Sequence, residues 1–164
     1  MESDLARLRD VKTADGFVHA MGRVCDSTLT TDFWNITLPN ELATSSPRSP
    51  SLFAYIAALV LLDARVLFST QKVADALDPS LHAQRAAAER HHLFPKGYLS
   101  TLGITEIRDT NQIANYALVD WGDNTGIGDK PPVEYLPEML ARFSPAELQQ
   151  MYYWHALPDG WEHM

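Results

Sequence analysis

The chain predicts an α+β protein, mainly α, with a helical first half followed by a small strand-loop-strand-helix core. Three observations lead there. Apolar residues recur at helical spacing through the first half, as at Phe17, Met21 and Val24. That periodicity is lost after Glu89, and residues 115–121 (Asn-Tyr-Ala-Leu-Val-Asp-Trp) carry the β-branched and aromatic content of a strand. Proline then punctuates the chain, with Pro131-Pro132 opening a last helical region that carries Tyr135, Leu136, Met139 and Leu140.

Taken in order, Ser3 is placed to cap a helix over residues 4–8, with Leu5 and Leu8 on one face. Thr13 is placed to cap a second, in which Phe17, Met21, Val24 and Cys25 form the apolar stripe. Residues 37–50 hold Pro39, Pro47 and Pro50 among serines and threonines, so a loop is expected. Ser49-Pro50 reads as an N-cap followed by proline at the first helical position, opening a helix through Leu62. Val66-Leu67-Phe68 with Val73, Ala74 and Leu77 predicts a further short helix ending near Pro79. A short strand is expected at residues 92–94, ending at Pro95, and an irregular loop at residues 97–112.

Composition sets the outer bounds. A hydrophobic fraction of 46% with 21% charged residues is that of an ordinary globular chain, and 164 residues suffice for a real core. Cys25 is the only cysteine, which excludes an intrachain disulfide and a cysteine-based zinc cluster; it is read as a small core residue. The start, Met1-Glu2-Ser3-Asp4, is acidic, unlike a secretory leader, and a cytoplasmic location is expected. The run at residues 52–62 falls well short of the ~20 residues of a membrane span. Asp63 and Arg65 close it, so a buried core helix is expected and no membrane partner.

The net charge of −8 opposes unaided binding to a polyanion. The charge is uneven, however. Between residues 85 and 108, Arg85, Arg90, Lys96 and Arg108 face only Glu89 and Glu106, whereas acids prevail beyond.

That least acidic stretch contains the chemistry. Glu89-Arg90-His91-His92-Leu93-Phe94-Pro95 is followed by Asn115 and, nine residues on, by Asn124. Phosphodiester hydrolysis by one divalent ion needs nitrogen or oxygen ligands on one side of the phosphate and a neutral imidazole on the other to activate water. This residue set contains both. A His-His pair alone is most often a solvated turn, and lone asparagines most often cap or turn. Their conjunction with Pro95 at these spacings is what raises the functional reading. Glu89 has two readings, an acid standing behind the metal ligands and, by default, a solvated charge. His19, His82, His155 and His163 have no partner pattern and are read as surface or core side chains, and Trp34, Trp121, Trp154 and Trp161 as packing residues.

The stretch resembles the HNH, or His-Me finger, ββα-metal nuclease motif. The longer wording His-His-Leu-Phe-Pro-Lys-Gly-Tyr-Leu, Asn-Gln-Ile-Ala-Asn-Tyr-Ala and Asn-Thr-Gly-Ile-Gly-Asp-Lys-Pro-Pro-Val-Glu-Tyr-Leu resembles the C-terminal nuclease domain of GmrSD-like, modification-dependent (type IV) restriction enzymes. It spans roughly a third of the chain. The resemblance implies a ββα-metal core and a metal-dependent DNA endonuclease or nickase in a restriction or phage-defence system. It implies His92 as general base, His91 and Asn124 as ligands of one Mg²⁺ or Mn²⁺, and Asn115 as the residue that bonds the backbone around His92. Lys96 and Lys130 are expected to contact phosphate, although the motif fixes neither.

The expected organisation is a helical extension at residues 1–84 packing on a nuclease core at residues 85–164 with its C-terminal helix. The expected partners are DNA and an upstream nucleotide-hydrolysing sensing domain or subunit, since nothing in this chain resembles that half of the family. Two alternatives stand beside this reading. One is a catalytically idle DNA-binding or regulatory module on the same scaffold, and the other an RNA-cleaving, toxin-like nuclease.

Overall fold

The computed structural model describes residues 6, 8–44, 46, 48–80 and 88–163. The helix expected at residues 4–8 lies mostly outside these, as do His82 and Arg85. Two compact units are present, Met1–Glu41 and Leu42–Met164. The architecture is mainly α with one two-stranded antiparallel sheet, an α+β arrangement.

In the first unit, α1 (Ala14–Thr28) begins where expected. The Thr13 side chain accepts the Gly16 N–H at 3.1 Å, which satisfies one of the unpaired first-turn donors. The expected apolar stripe is only partly buried, because Ala20 is the buried residue of this helix while Phe17 is 49% exposed. Cys25 is exposed, which corrects its reading as a core residue. The loop expected from residue 37 is also corrected. A π-helical turn (Phe33–Thr37) runs directly into α2 (Leu38–Leu42). Pro39 follows the π-helical turn directly and supplies no N–H to the helix at that point.

The second unit opens with α3 (Pro50–Leu61). Ser49 caps it by accepting the Ser51 N–H at 3.2 Å, and Pro50 occupies the first turn. Only Ser51, Leu52 and Leu59 of α3 are buried, whereas Phe53 and Leu61 are exposed, so the expected core helix is a half-covered one. Among the described residues no helix is long and apolar enough to cross a membrane.

The segment after α3 departs from expectation. Arg65 to Leu67 is extended rather than helical, Phe68 turns with φ of 61°, and only α4 (Val73–Leu77) is a helix. Leu67 forms a parallel bridge with Val119, and its N–H donates to the Leu118 carbonyl at 2.9 Å. An antiparallel bridge between Arg65 and Lys72 closes the turn behind it. Val66, Leu67 and Phe68 are all essentially inaccessible, and a fully buried apolar run looks alike as strand or helix in sequence.

β1 (Ala88–His92) pairs antiparallel with β2 (Tyr116–Asp120), setting His91 opposite Ala117 and His92 opposite Tyr116. β1 starts four residues earlier than expected. The connection between the strands is more ordered than a loop, with α5 (Lys96–Thr101), α6 (Ile107–Thr110) and a 3₁₀ turn (Ile113–Asn115). After β2 the chain enters α7 (Trp121–Ile127), α8 (Pro132–Leu140), α9 (Pro145–Trp154) and a last 3₁₀ turn (Trp161–His163). The sequence reading missed α9, although Ser144 and Glu147 form a full capping box at its start.

β2 is the centre of the unit because it is buried on both faces. Ala117 and Val119 join one core with Leu67, Phe68, Ile127, Tyr135 and Trp161. Leu118 points the other way, into a smaller core with Leu59, Ala64, Val66, Val73 and Ala76. Each side chain of this size stabilises the fold by about 1.5–3 kcal/mol when fully buried, so β2 is a rigid mount for what lies at its edges. Trp161 packs as expected, but Trp34 and Trp121 are exposed at 53% and 45%.

Candidate active site

Strand alternation sends neighbouring side chains of β1 to opposite faces. His91 turns toward the layer of α7 and α8, where its ring stands edge-to-face with Tyr135 at 5.9 Å. His92 turns the other way, onto the Tyr116 ring at 4.6 Å. The two meet again at the end of the strand. There an open cleft of about 220 Å³ is lined by Arg90, His91, His92, Pro95, Lys96, Asn124, Gly128 and Asp129.

On one wall, His91 Nδ1 lies 2.8 Å from Asn124 Oδ1. Asn124 sits in the middle of α7, one turn before Gly128. Gly128, with φ of 56°, ends that helix in a conformation that disfavours a side chain. The Asn124 carboxamide is oriented from behind, because its Nδ2 donates to Glu89 Oε2 at 2.8 Å. Glu89 is therefore engaged in the site rather than merely solvated, correcting its default sequence reading. With Nδ2 so committed, Oδ1 is the atom presented to His91.

A carboxamide oxygen only accepts, so His91 Nδ1–H donates this hydrogen bond; with that proton moved to Nε2, the same two atoms stand near the roughly 3 Å that separates adjacent donors in an octahedral shell with ~2.1 Å bonds. Imidazole nitrogen with carboxamide oxygen suits Mn²⁺ and is acceptable to Mg²⁺ when water completes the shell. Among the described residues no three His, Cys, Asp or Glu side chains gather in a metal-holding group. His91 Nε2 is buried and makes no hydrogen bond.

On the other wall, His92 Nε2 lies 3.0 Å from Asn111 Oδ1. Asn115 does not touch either histidine. Its Oδ1 accepts the Phe94 N–H at 2.8 Å, while its Nδ2 donates to the Phe94 and Thr110 carbonyls, each at 3.0 Å. Tyr135 adds a further grip, its hydroxyl donating to the Leu93 carbonyl at 2.8 Å.

Both imidazoles are held below the usual histidine pKa, so both are neutral at pH 7. Burial is the main cause for each. For His91 the Asn124 contact opposes burial and the neighbouring His92 adds to it. For His92 the Asn111 contact opposes burial, and the Lys96 and Arg90 charges reinforce it. A neutral imidazole is what both metal ligation and general-base work require.

The structure brings His91, His92, Asn124 and Lys96 to one cleft and puts Asn115 behind it. Lys130 is elsewhere occupied. Its Nζ donates to the Gly126 carbonyl at 3.1 Å, capping the end of α7, and it does not line the cleft. Three residues escaped the sequence reading as members of the site. Arg90 lines the cleft and lies over the Tyr116 ring at 5.6 Å. Asp129 also lines it, and its Oδ1 accepts the Gly97 N–H at 3.1 Å. A Cβ on residue 97 would fall within 2.3 Å of the Asp129 side chain, so glycine is required there. Asn111 is the third. Arg90 was legible as a basic residue beside the histidine pair, but not as a strand residue because the strand was expected only from residue 92, and Asn111 and Asp129 carried no spacing signal.

No protein-family model, curated protein or solved structure matches this chain.

Proposed function

We propose that this protein is a metal-dependent DNA endonuclease or nickase of the ββα-metal type, the effector of a restriction or phage-defence system. One observation carries the reading. Side chains from β1 and α7 converge so that the His91–Asn124 atom pair and the His92 imidazole line one cleft.

His91 Nδ1 and Asn124 Oδ1 would hold one Mg²⁺ or Mn²⁺, which when bound supplies positive charge to the phosphate and to the leaving oxygen. His92 takes a proton from the attacking water as the new P–O bond forms. The bond to the 3′ oxygen then breaks and that oxygen takes a proton from solvent water, leaving 5′-phosphate and 3′-hydroxyl ends. Glu89 keeps the Asn124 oxygen aimed at the ligand position. Arg90 and Lys96 stand at the cleft as cations for the phosphate oxygens. Asn115 fixes the backbone that carries His92.

Among the described residues Arg90 and Lys96 are the Lys and Arg side chains that line the cleft, and the net charge is −8, which favours recognition of DNA by a partner. A nucleotide-hydrolysing sensing domain or subunit fits that role. Plasmid nicking with Mg²⁺, with Mn²⁺ and with chelator, run beside a structured RNA, tests the proposal. Metal-dependent conversion of supercoiled to open-circular DNA is expected. Cleavage of RNA alone, or no cleavage with DNA binding retained, would replace it by the toxin-like or the idle-module reading.

A further inference from the structure

We infer that Asn111 is the positioning residue of the base: its carboxamide holds the His92 ring with the proton on Nε2 and leaves the lone pair on Nδ1. This rests on the reading of His92 as the group that activates water. A neutral imidazole carries one N–H and one lone pair, and a carboxamide oxygen only accepts. With Asn111 Oδ1 at 3.0 Å from Nε2, Nε2 donates, and Nδ1 becomes the basic nitrogen. The Tyr116 ring, at 4.6 Å and tilted by 49°, restricts the plane of the imidazole. Asn111 sets the remaining freedom, rotation about the Cβ–Cγ bond, which would otherwise exchange the two ring edges.

Asn111 is itself held by the backbone. Its N–H donates to the Ile107 carbonyl at 2.9 Å, closing α6. The carbonyl just before it, on Thr110, accepts from Asn115 Nδ2, and the same Asn115 grips both polar groups of Phe94. Asn115 therefore ties the segment that carries His92 to the segment that carries Asn111. The side-chain contact between them inherits its geometry from that clamp. Partners of this kind, one step removed from the reacting atoms, typically contribute 10–100-fold to activity when they orient a catalytic imidazole.

The test uses the full chain labelled with ¹⁵N-histidine, together with Asn111→Leu and Asn111→Asp. Leucine keeps the volume and removes the acceptor, whereas aspartate keeps an acceptor oxygen. Long-range ¹H–¹⁵N spectra above neutral pH should place the His92 proton on Nε2 in the parent and in Asn111→Asp. In Asn111→Leu that proton should be lost to solvent exchange. In the nicking assay Asn111→Leu should lower kcat roughly 10- to 100-fold with KM unchanged, and Asn111→Asp should recover most of it. A parent proton on Nδ1 overturns the inference, as does an Asn111→Leu protein with the parent's spectrum and kcat. The spectra need no turnover, so a protein that fails to nick DNA yet shows the Nε2 proton sinks the nuclease reading separately from this contact.

Discussion

Asn115 satisfies both backbone polar groups of Phe94, accepting its N–H at 2.8 Å and donating to its carbonyl at 3.0 Å. This is the pairing that a neighbouring strand would make, supplied here by a side chain at the point where β1 has ended. Nδ2 adds a bond to the Thr110 carbonyl at 3.0 Å. Asn115→Ala would leave three backbone groups without partners, one of them on the buried Thr110. We expect a loss of about 1–3 kcal/mol. The thermal midpoint should fall on the order of 5 °C, with nicking lost more steeply than stability. A variant as active as the parent at a lowered midpoint would separate the clamp from the chemistry.

His92→Ala should abolish nicking while metal binding is nearly unchanged, because His92 lies across the cleft from the ligand pair. A positioned base is typically worth ~10² to 10⁴ in rate. Single-turnover nicking with calorimetric Mn²⁺ titration of the same preparation checks both halves. Parent-rate cleavage by His92→Ala would move the base elsewhere.

Asn124→Ala, and to a lesser degree His91→Ala, should weaken divalent-ion binding, since each removes one of the two protein atoms available. Glu89→Ala should weaken it less, by roughly 10–100-fold, through loss of the carboxamide's orientation. Unchanged Mn²⁺ affinity in all three variants would place the ion outside this cleft.

A second histidine predicts how stability responds to pH. His155 is buried, lies 3.0 Å from the Tyr55 hydroxyl through Nδ1, and contacts the Arg65 carbonyl through Nε2 at 2.9 Å. A carbonyl only accepts, so Nε2–H donates to it and Nδ1 accepts from Tyr55. Burial depresses its pKa, and the Arg65 contact only partly offsets that. As the pH falls below the ~6.5 of an exposed imidazole, the unfolded chain binds the proton first. The contribution is therefore complete above about pH 6.5 and is lost as the pH drops toward the depressed value. Urea unfolding from pH 8 to pH 5 should show this decline, and His155→Gln should flatten it. An equally steep decline in His155→Gln would assign it to other groups.

Binding of these 164 residues to unmodified duplex DNA should be weak and only mildly salt-dependent. Each neutralised phosphate contributes about −0.9 to the slope of log affinity against log salt. Arg90 and Lys96 are the cations that line the cleft, so a slope on the order of −2 to −4 is expected. Fluorescence anisotropy across a salt series measures it. Tight, steep and sequence-selective binding would contradict the need for a separate recognition partner.

What could be read from the chain is what local chemistry decides. Thr13 and Ser49 announce their helices because a cap involves only the next two or three residues. β2 was legible because Ala117, Leu118 and Val119 are an apolar run, and the run is apolar because both of its faces are covered. The set of His91, His92, Asn115 and Asn124 was legible as a pattern of residue types, without any distance between them.

Tertiary structure alone decided the rest. Val66 to Phe68 reads equally well as helix or strand until the Leu118 carbonyl takes the Leu67 N–H. Cys25 and Trp121 look like core residues, but how far an apolar side chain is covered depends on where other segments lie, and both are exposed. Glu89 was legible only as a candidate without a partner and Asn111 not at all, because the residues they bond, Asn124 and His92, lie 35 and 19 positions away. A hydrogen bond between distant side chains leaves no periodic trace in a chain. It exists only after β2, buried on both faces, has fixed the strand and helix ends that carry those residues.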